Sequence, residues 1–187
     1  MRVFLDFEAS SLADASYPIE VGWVFEDGEG ESHLIRPADD WLDWHAGAEV
    51  IHGLSRNRLV ETGTDHETVA RRMIEALSGH ALYASAPSWD GKWLSVLLRR
   101  AGFPRKTLTL RDTDEASAAL IAEVLAGSLE ARVIEDLTPA IIRRARLERE
   151  GRAVRHRALQ DAEEERQVWL IVGRMAHAER NRLAEVI

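Results

Sequence analysis

The chain contains no cysteine. Disulfides, thiolate nucleophiles and cysteine-based zinc sites are thereby excluded, and any bound metal must be held by oxygen or imidazole. Lysine is almost absent as well. Lys92 and Lys106 are the only two, and arginine supplies the other basic residues. No apolar run approaches the roughly 18 residues of a membrane span. The segment from Met1 to Asp6 leads straight into a strand-like stretch and lacks the long apolar region and small-residue cleavage site of a signal peptide. A cytoplasmic protein with no membrane association is expected.

What is present is the composition of a soluble globular protein. The 187 residues are 45% hydrophobic and 30% charged, which suits one domain over residues 1–187 with a sizeable core. The net charge of -8 argues against a general nucleic-acid coat, because phosphate binding favours basic surfaces. It leaves room for a site that gathers carboxylates around metal ions, since the ions supply the positive charge. Charge is also uneven. Arg143, Arg144, Arg146, Arg149, Arg152, Arg155 and Arg157 stand against Glu148 and Glu150. The run reads equally as a solvated helix face or as a patch that contacts phosphate.

Arg2–Asp6, Ile19–Phe25 and Glu31–Arg36 read as strands, the last two joined by an Asp27-Gly28 hairpin signal. The first three strands are therefore expected to be antiparallel neighbours. Pro37–Gly63 reads as irregular. Thr64-Asp65-His66-Glu67 reads as a capping box opening a helix that closes at Gly79. Ala81–Ala84 and Thr107–Leu110 read as short strands. Helices are expected over Asp90–Ala101, Asp114–Ala126, Thr138 to about Arg149, and Leu159–Ala176. For the third of these, Thr138-Pro139 would form the cap and first turn. Antiparallel strands followed by alternating strands and helices give an α/β fold, a mixed sheet flanked by helices. That order is found in the ribonuclease H-like fold and in other α/β folds.

Three groups of residues could carry chemistry. Asp6 and Glu8 lie two apart on a strand and so point to one face. Paired carboxylates there repel each other, and a divalent cation is the usual compensation; hydrated acids at a strand end are the plainer reading. Asp90 stands near a helix start, where an acid also serves the helix dipole. His156 and Asp161 form His-x4-Asp. On one continuous helix they would stand about 140° apart, so they can share a site only if His156 precedes the helix. Gly151 before it and Leu159 after it permit that arrangement. A histidine that titrates near neutrality beside a polarised water is a suitable general base.

Taken together these segments resemble the DEDDh 3′–5′ exonucleases, the DnaQ-like family that includes the proofreading epsilon subunit of bacterial replicative polymerase. Asp6-Phe7-Glu8-Ala9-Ser10-Ser11-Leu12 resembles the first motif, and Ile19-Glu20-Val21-Gly22 the second strand. Val50-Ile51-His52-Gly53-Leu54-Ser55 resembles the turn after the third strand. Tyr83–Asp90, with Trp89 before Asp90, resembles the second acidic motif. Arg155-His156-Arg157-Ala158-Leu159-Gln160-Asp161-Ala162 resembles the third. The similarity runs over residues 2–175.

The resemblance implies a ribonuclease H-like fold and a single exonuclease domain. It implies that Asp6, Glu8, Asp90 and Asp161 hold two divalent cations, Mg2+ or Mn2+, and that His156 is the general base. The reaction would be hydrolysis at the 3′ end of single-stranded DNA or RNA, releasing nucleoside 5′-monophosphates. Ala9, Ser10, Ser11, Leu12, Trp89, Arg155 and Arg157 would contact substrate. The chain departs from the family where Ala9-Ser10-Ser11 replaces Thr-Thr-Gly and where Ala86 replaces an asparagine. Both changes bear on how the 3′ end is held; neither touches a ligand position. Among the tryptophans, Trp89 and Trp93 flank Asp90 and could stack on bases, whereas Trp23 and Trp169 read as core. Association with a polymerase or with a second copy is compatible with the sequence. The alternative is a non-catalytic module on the same fold that binds nucleic acid or a polymerase; a degenerate acid set would be expected of it.

Overall fold

The computed structural model describes residues 1–149 and 156–184. Strands β1 (Arg2–Ala9), β2 (Pro18–Phe25) and β3 (Gly30–Arg36) form an antiparallel meander. The two-residue strand β4 (Thr64–Asp65) pairs in parallel with β3. On the other side, β5 (Ala81–Ala84) runs parallel to β1, and β6 (Leu110–Asp112) runs parallel to β5. The sheet order is β4-β3-β2-β1-β5-β6. Seven helices accompany these strands among the described residues: α1 (Ala46–His52), α2 (Arg56–Thr62), α3 (His66–Leu77), α4 (Pro87–Arg100), α5 (Thr113–Leu125), α6 (Ala131–Arg149) and α7 (Ala158–Ala184). The expected mixed sheet with helices on its faces is what forms.

Strand alternation sorts the side chains of β1 between two layers. Val3, Leu5 and Phe7 join Val21 and Trp23 of β2 against Val69, Met73 and Leu77 of α3 and Trp93, Leu94 and Leu97 of α4. Each fully buried aliphatic side chain there contributes about 2 kcal/mol. Phe4 points the other way, into a cluster with Val24, Tyr83, Ala162 and Trp169. Asp6 and Glu8 continue the Phe4 row, so the sheet presents them to the α7 side. A further apolar cluster ties α5, α6 and α7 together through Ile121, Leu125, Ile142, Ala145, Val168 and Val172.

Several boundaries differ from the sequence expectation. The segment Pro37–Gly63 is not wholly irregular, because it holds α1 and α2. Ser55 caps α2 by accepting the Arg58 N–H, and Gly53 ends α1 at φ 68°. The turn expected at His52-Gly53 is therefore a helix end, with His52 Nδ1 accepting the Leu54 N–H at 3.1 Å. Asp65, not Thr64, caps α3, its carboxylate accepting from the N–H groups of Glu67 and Thr68. The strand expected at Thr107–Leu110 begins only at Leu110. Thr107 instead closes a turn, with its N–H and hydroxyl both bonded to the Pro104 carbonyl.

The largest correction concerns Pro139, which lies inside α6 rather than at its start. An interior proline costs a helix about 3 kcal/mol. Burial of Ile134, Ile142 and Ala145 on both sides of it offsets that cost, and Thr138 Oγ1 donates to the Ile134 carbonyl at 2.8 Å. Helix α4 likewise starts earlier than expected, at Pro87, which places Asp90 within its first turn.

Candidate active site

Three chain segments meet at the C-terminal half of β1. The C-terminal half of β1 carries Asp6 and Glu8, the first turn of α4 carries Asp90, and the approach to α7 carries His156 and Asp161. His156 and Arg157 precede α7, and Asp161 sits in its first turn with its N–H on the Arg157 carbonyl at 3.0 Å. The condition set by the His-x4-Asp spacing is thus met. Glu8, His156 and Asp161 each present one ligand-type atom, all within 4.8 Å of one another. Asp6 and Asp90 are outside that trio but next to it: the charges of Asp90, Glu8 and Asp161 all act on Asp6.

A glycine makes this convergence possible. Gly22 of β2 is the cross-strand partner of Asp6. A Cβ there would overlap the backbone of Ala158 and Leu159. The first turn of α7 can therefore rest directly on the sheet beside Asp6, which brings Asp161 to the carboxylates of β1.

Among the described residues the site is short of positive charge. Burial, followed by repulsion from Asp90 and Glu8, raises the Asp6 carboxyl well above the usual range. Burial and then repulsion from Asp161 and Glu20 push Glu8 up to about 8. Burial lifts Asp90 to about 7 against hydrogen bonding from the Phe7 backbone. Burial also lifts Asp161 to about 6, with His156 acting in the opposite direction. Asp90 Oδ2 is buried and has no hydrogen-bond partner among the described residues. A set of four carboxylates beside one imidazole, crowded and under-neutralised, fits hard divalent cations such as Mg2+ or Mn2+.

These shifts carry a sign for stability. Each carboxyl binds its proton more tightly folded than unfolded, so its contribution to stability is complete below about pH 4 and is lost as pH rises through 6 to 8. In the presence of EDTA, the melting temperature is expected to fall between about pH 6.5 and about pH 8.5, and Mn2+ is expected to restore it most at the alkaline end. That window lies above the range where buried His52, whose pKa is lowered chiefly by burial, would act in the opposite sense. A flat or rising melting temperature in EDTA would contradict the proposed charge crowding.

The residues expected to meet substrate divide into two groups. Leu12 is 69% exposed and Trp89 38% exposed. Trp89 stacks on Trp93 at 5.7 Å, and Lys92 Nζ lies 5.1 Å from its ring centre. These two side chains are open to a ligand. Ala9 is buried, at the point where the register of β1 shifts. Ser10 and Ser11 are buried too, and both hydroxyls donate to Asp43 Oδ2, at 2.8 and 2.6 Å. Arg157 gives its guanidinium to Glu20. Arg155 lies outside the described residues, as does Arg152.

Of the arginine run, Arg146 bonds Asp114 and Glu165, and Arg149 bonds Glu164. For these two the α6 side chains form inter-helix ion pairs. Glu20, Gly22 and Asp43 also adjoin the site residues, and the sequence motifs give none of them a site role. The available signal for the first two was an apolar strand, Ile19–Phe25, interrupted at i and i+2 by one acid and one glycine on a single face.

No protein-family model matches the chain, and no curated protein matches it in sequence. Solved structures do. Exonuclease I from Methylocaldum szegediense superposes over 96% of this chain and 41% of its own, at TM-score 0.65 and 18% identity. The metal-free complex of E. coli exonuclease I with single-stranded DNA covers 67% of this chain and 30% of its own, at TM-score 0.53 and 19% identity. The likeness is one of fold: this chain shares the fold of exonuclease I over the superposed residues. The complex of the E. coli enzyme with a dT13 oligonucleotide matches to the same extent, at 18% identity. The chain spans less than half the length of the exonuclease I chains it resembles. Among the described residues, no helix is long and apolar enough to cross a membrane.

Proposed function

We propose that the chain is a metal-dependent 3′–5′ exonuclease of the DEDDh type, acting on single-stranded nucleic acid. The observation that carries this reading is the convergence of Glu8, His156 and Asp161 within 4.8 Å, beside Asp6 and Asp90, on an exonuclease-type fold. A non-catalytic binding module would gain nothing from a buried carboxylate set whose desolvation costs stability.

Asp6, Glu8, Asp90 and Asp161 would hold two divalent cations. Such ions acidify water and stabilise the charge that develops at phosphorus during in-line displacement. His156, exposed on the loop before α7, would accept the proton of the attacking water at a ring nitrogen. The bond from phosphorus to the 3′ oxygen would break, leaving a nucleoside 5′-monophosphate and a shortened strand with a free 3′ hydroxyl. Leu12 and Trp89 would meet the terminal bases, Trp89 by stacking. The Ser10 and Ser11 hydroxyls, already given to Asp43, would shape the turn that carries Leu12, leaving backbone groups to face the nucleotide.

The test is a single-stranded oligonucleotide labelled at its 3′ or its 5′ end, incubated with Mg2+ or Mn2+. A 3′ label should appear at once as mononucleotide, and a 5′ label as a descending ladder; EDTA should stop both. Mononucleotide released first from the 5′ end, or no release with either ion, would refute the reading. Matched ribo- and deoxyribo-oligonucleotides in competition would show which sugar is preferred.

A further inference from the structure

Glu20 is an acid in the middle of an apolar strand. It is 1% exposed and lies directly across from Glu8 in the β1–β2 register. A buried carboxylate next to another is costly unless it is paired and hydrogen-bonded, and Glu20 is both. Arg157 Nη2 donates to Oε1 at 2.6 Å and Arg157 Nε donates to Oε2 at 2.9 Å, a two-point fork. Ala158 N–H, at the start of α7, donates to Oε2 at 3.3 Å. One carboxylate thus grips both the residue after His156 and the first residue of the helix that carries Asp161.

From this geometry we infer that Glu20 is a positioning residue: through Arg157 and the α7 N-terminus it fixes where His156 and Asp161 stand relative to Glu8. The inference rests on the proposed metal site but adds a residue that touches neither ion nor substrate. The physical reason for such a clamp is in the chain itself. His156 lies outside helix and strand, so on its C-terminal side its position follows from what holds Arg157. Gly22, two residues along the same strand face, lets the helix approach; Glu20 sets where its first turn stops. Arg157 accordingly serves the protein rather than phosphate.

Glu20→Gln is the informative variant. It keeps the size and an acceptor for Ala158 N–H but replaces the second carboxylate oxygen with an N–H2 group that faces Arg157. It also removes a buried charge, while the half-buried Arg157 can reach water, so the fold should survive. The circular dichroism spectrum is expected to match wild type. Mn2+ affinity by calorimetry is expected to fall about tenfold, and kcat on a 3′-labelled oligonucleotide about 10- to 100-fold, with KM unchanged. Arg157→Lys keeps the charge but loses the fork, and should show the same pattern to a lesser degree; it decides the matter if Glu20→Gln does not fold. Wild-type Mn2+ affinity and kcat in the folded variant would overturn the inference. If the wild-type protein binds Mn2+ but releases no nucleotide, the nuclease reading fails and the affinity arm still decides the role of Glu20.

Discussion

Asp6→Asn is expected to lower nucleotide release by about 100- to 1,000-fold and, in EDTA at alkaline pH, to raise the melting temperature. The two effects have opposite signs for one reason. Asp6 is opposed by its surroundings, by burial first and then by Asp90, Glu8 and Asp161. Replacing it with a neutral amide of the same shape removes that repulsion and supplies an N–H2 donor to neighbouring carboxylates such as Asp90, whose Oδ2 has no partner among the described residues. The same change removes a donor oxygen that divalent ions need. Activity loss alone would be compatible with simple misfolding. A more stable yet inactive protein is the signature of a site whose charge is spent on metal. Steady-state rates and thermal melts on one preparation check both arms, and undiminished release with an unchanged melt would contradict the role given to Asp6.

Gly22→Ala is expected to cost at least about 3 kcal/mol, the upper range for over-packing. The added methyl would meet the backbone of Ala158 and Leu159, which no side-chain rotation can relieve. Helix α7 must shift away from the sheet, taking Asp161 with it and opening the cluster of Phe4, Val24 and Ala162. Gly91→Ala in α4 is the matched control. Its new methyl meets nothing within 4 Å, and alanine favours a helix by roughly 1 kcal/mol. Urea melts should separate the two variants widely. Equal stabilities would mean that α7 does not rest on Gly22.

How much of this was legible beforehand follows from which forces act locally. Strand alternation put Asp6 and Glu8 on one face, and the helix angle required His156 to precede α7; both depend only on backbone geometry, and both hold. The Pro139 boundary was misplaced because tertiary burial of Ile142 and Ala145 outweighed a local propensity. The Thr107 strand was misplaced because β-prone residues bent into a turn at Pro104 before reaching the β5 edge. Glu20 shows in the sequence only as an acid within an apolar strand and Asp43 not at all, for a different reason. Each acts through partners far away in sequence, Glu20 through Arg157 and Asp43 through Ser10 and Ser11, and no spacing rule connects them. The arginine run showed the same limit. Its charges were plain, but the acids that pair with Arg146 and Arg149, Glu165 and Glu164, lie on another helix.

The most direct measurement is a crystal grown with Mn2+ and a nucleoside 5′-monophosphate, with anomalous scattering recorded at the manganese edge. Peaks bounded by the carboxylates of Asp6, Glu8, Asp90 and Asp161, with His156 on the side facing the phosphate, are the expected result. An absence of manganese among those four carboxylates at saturating Mn2+, or manganese bound only elsewhere on the chain, would contradict the metal-centred reading of the site.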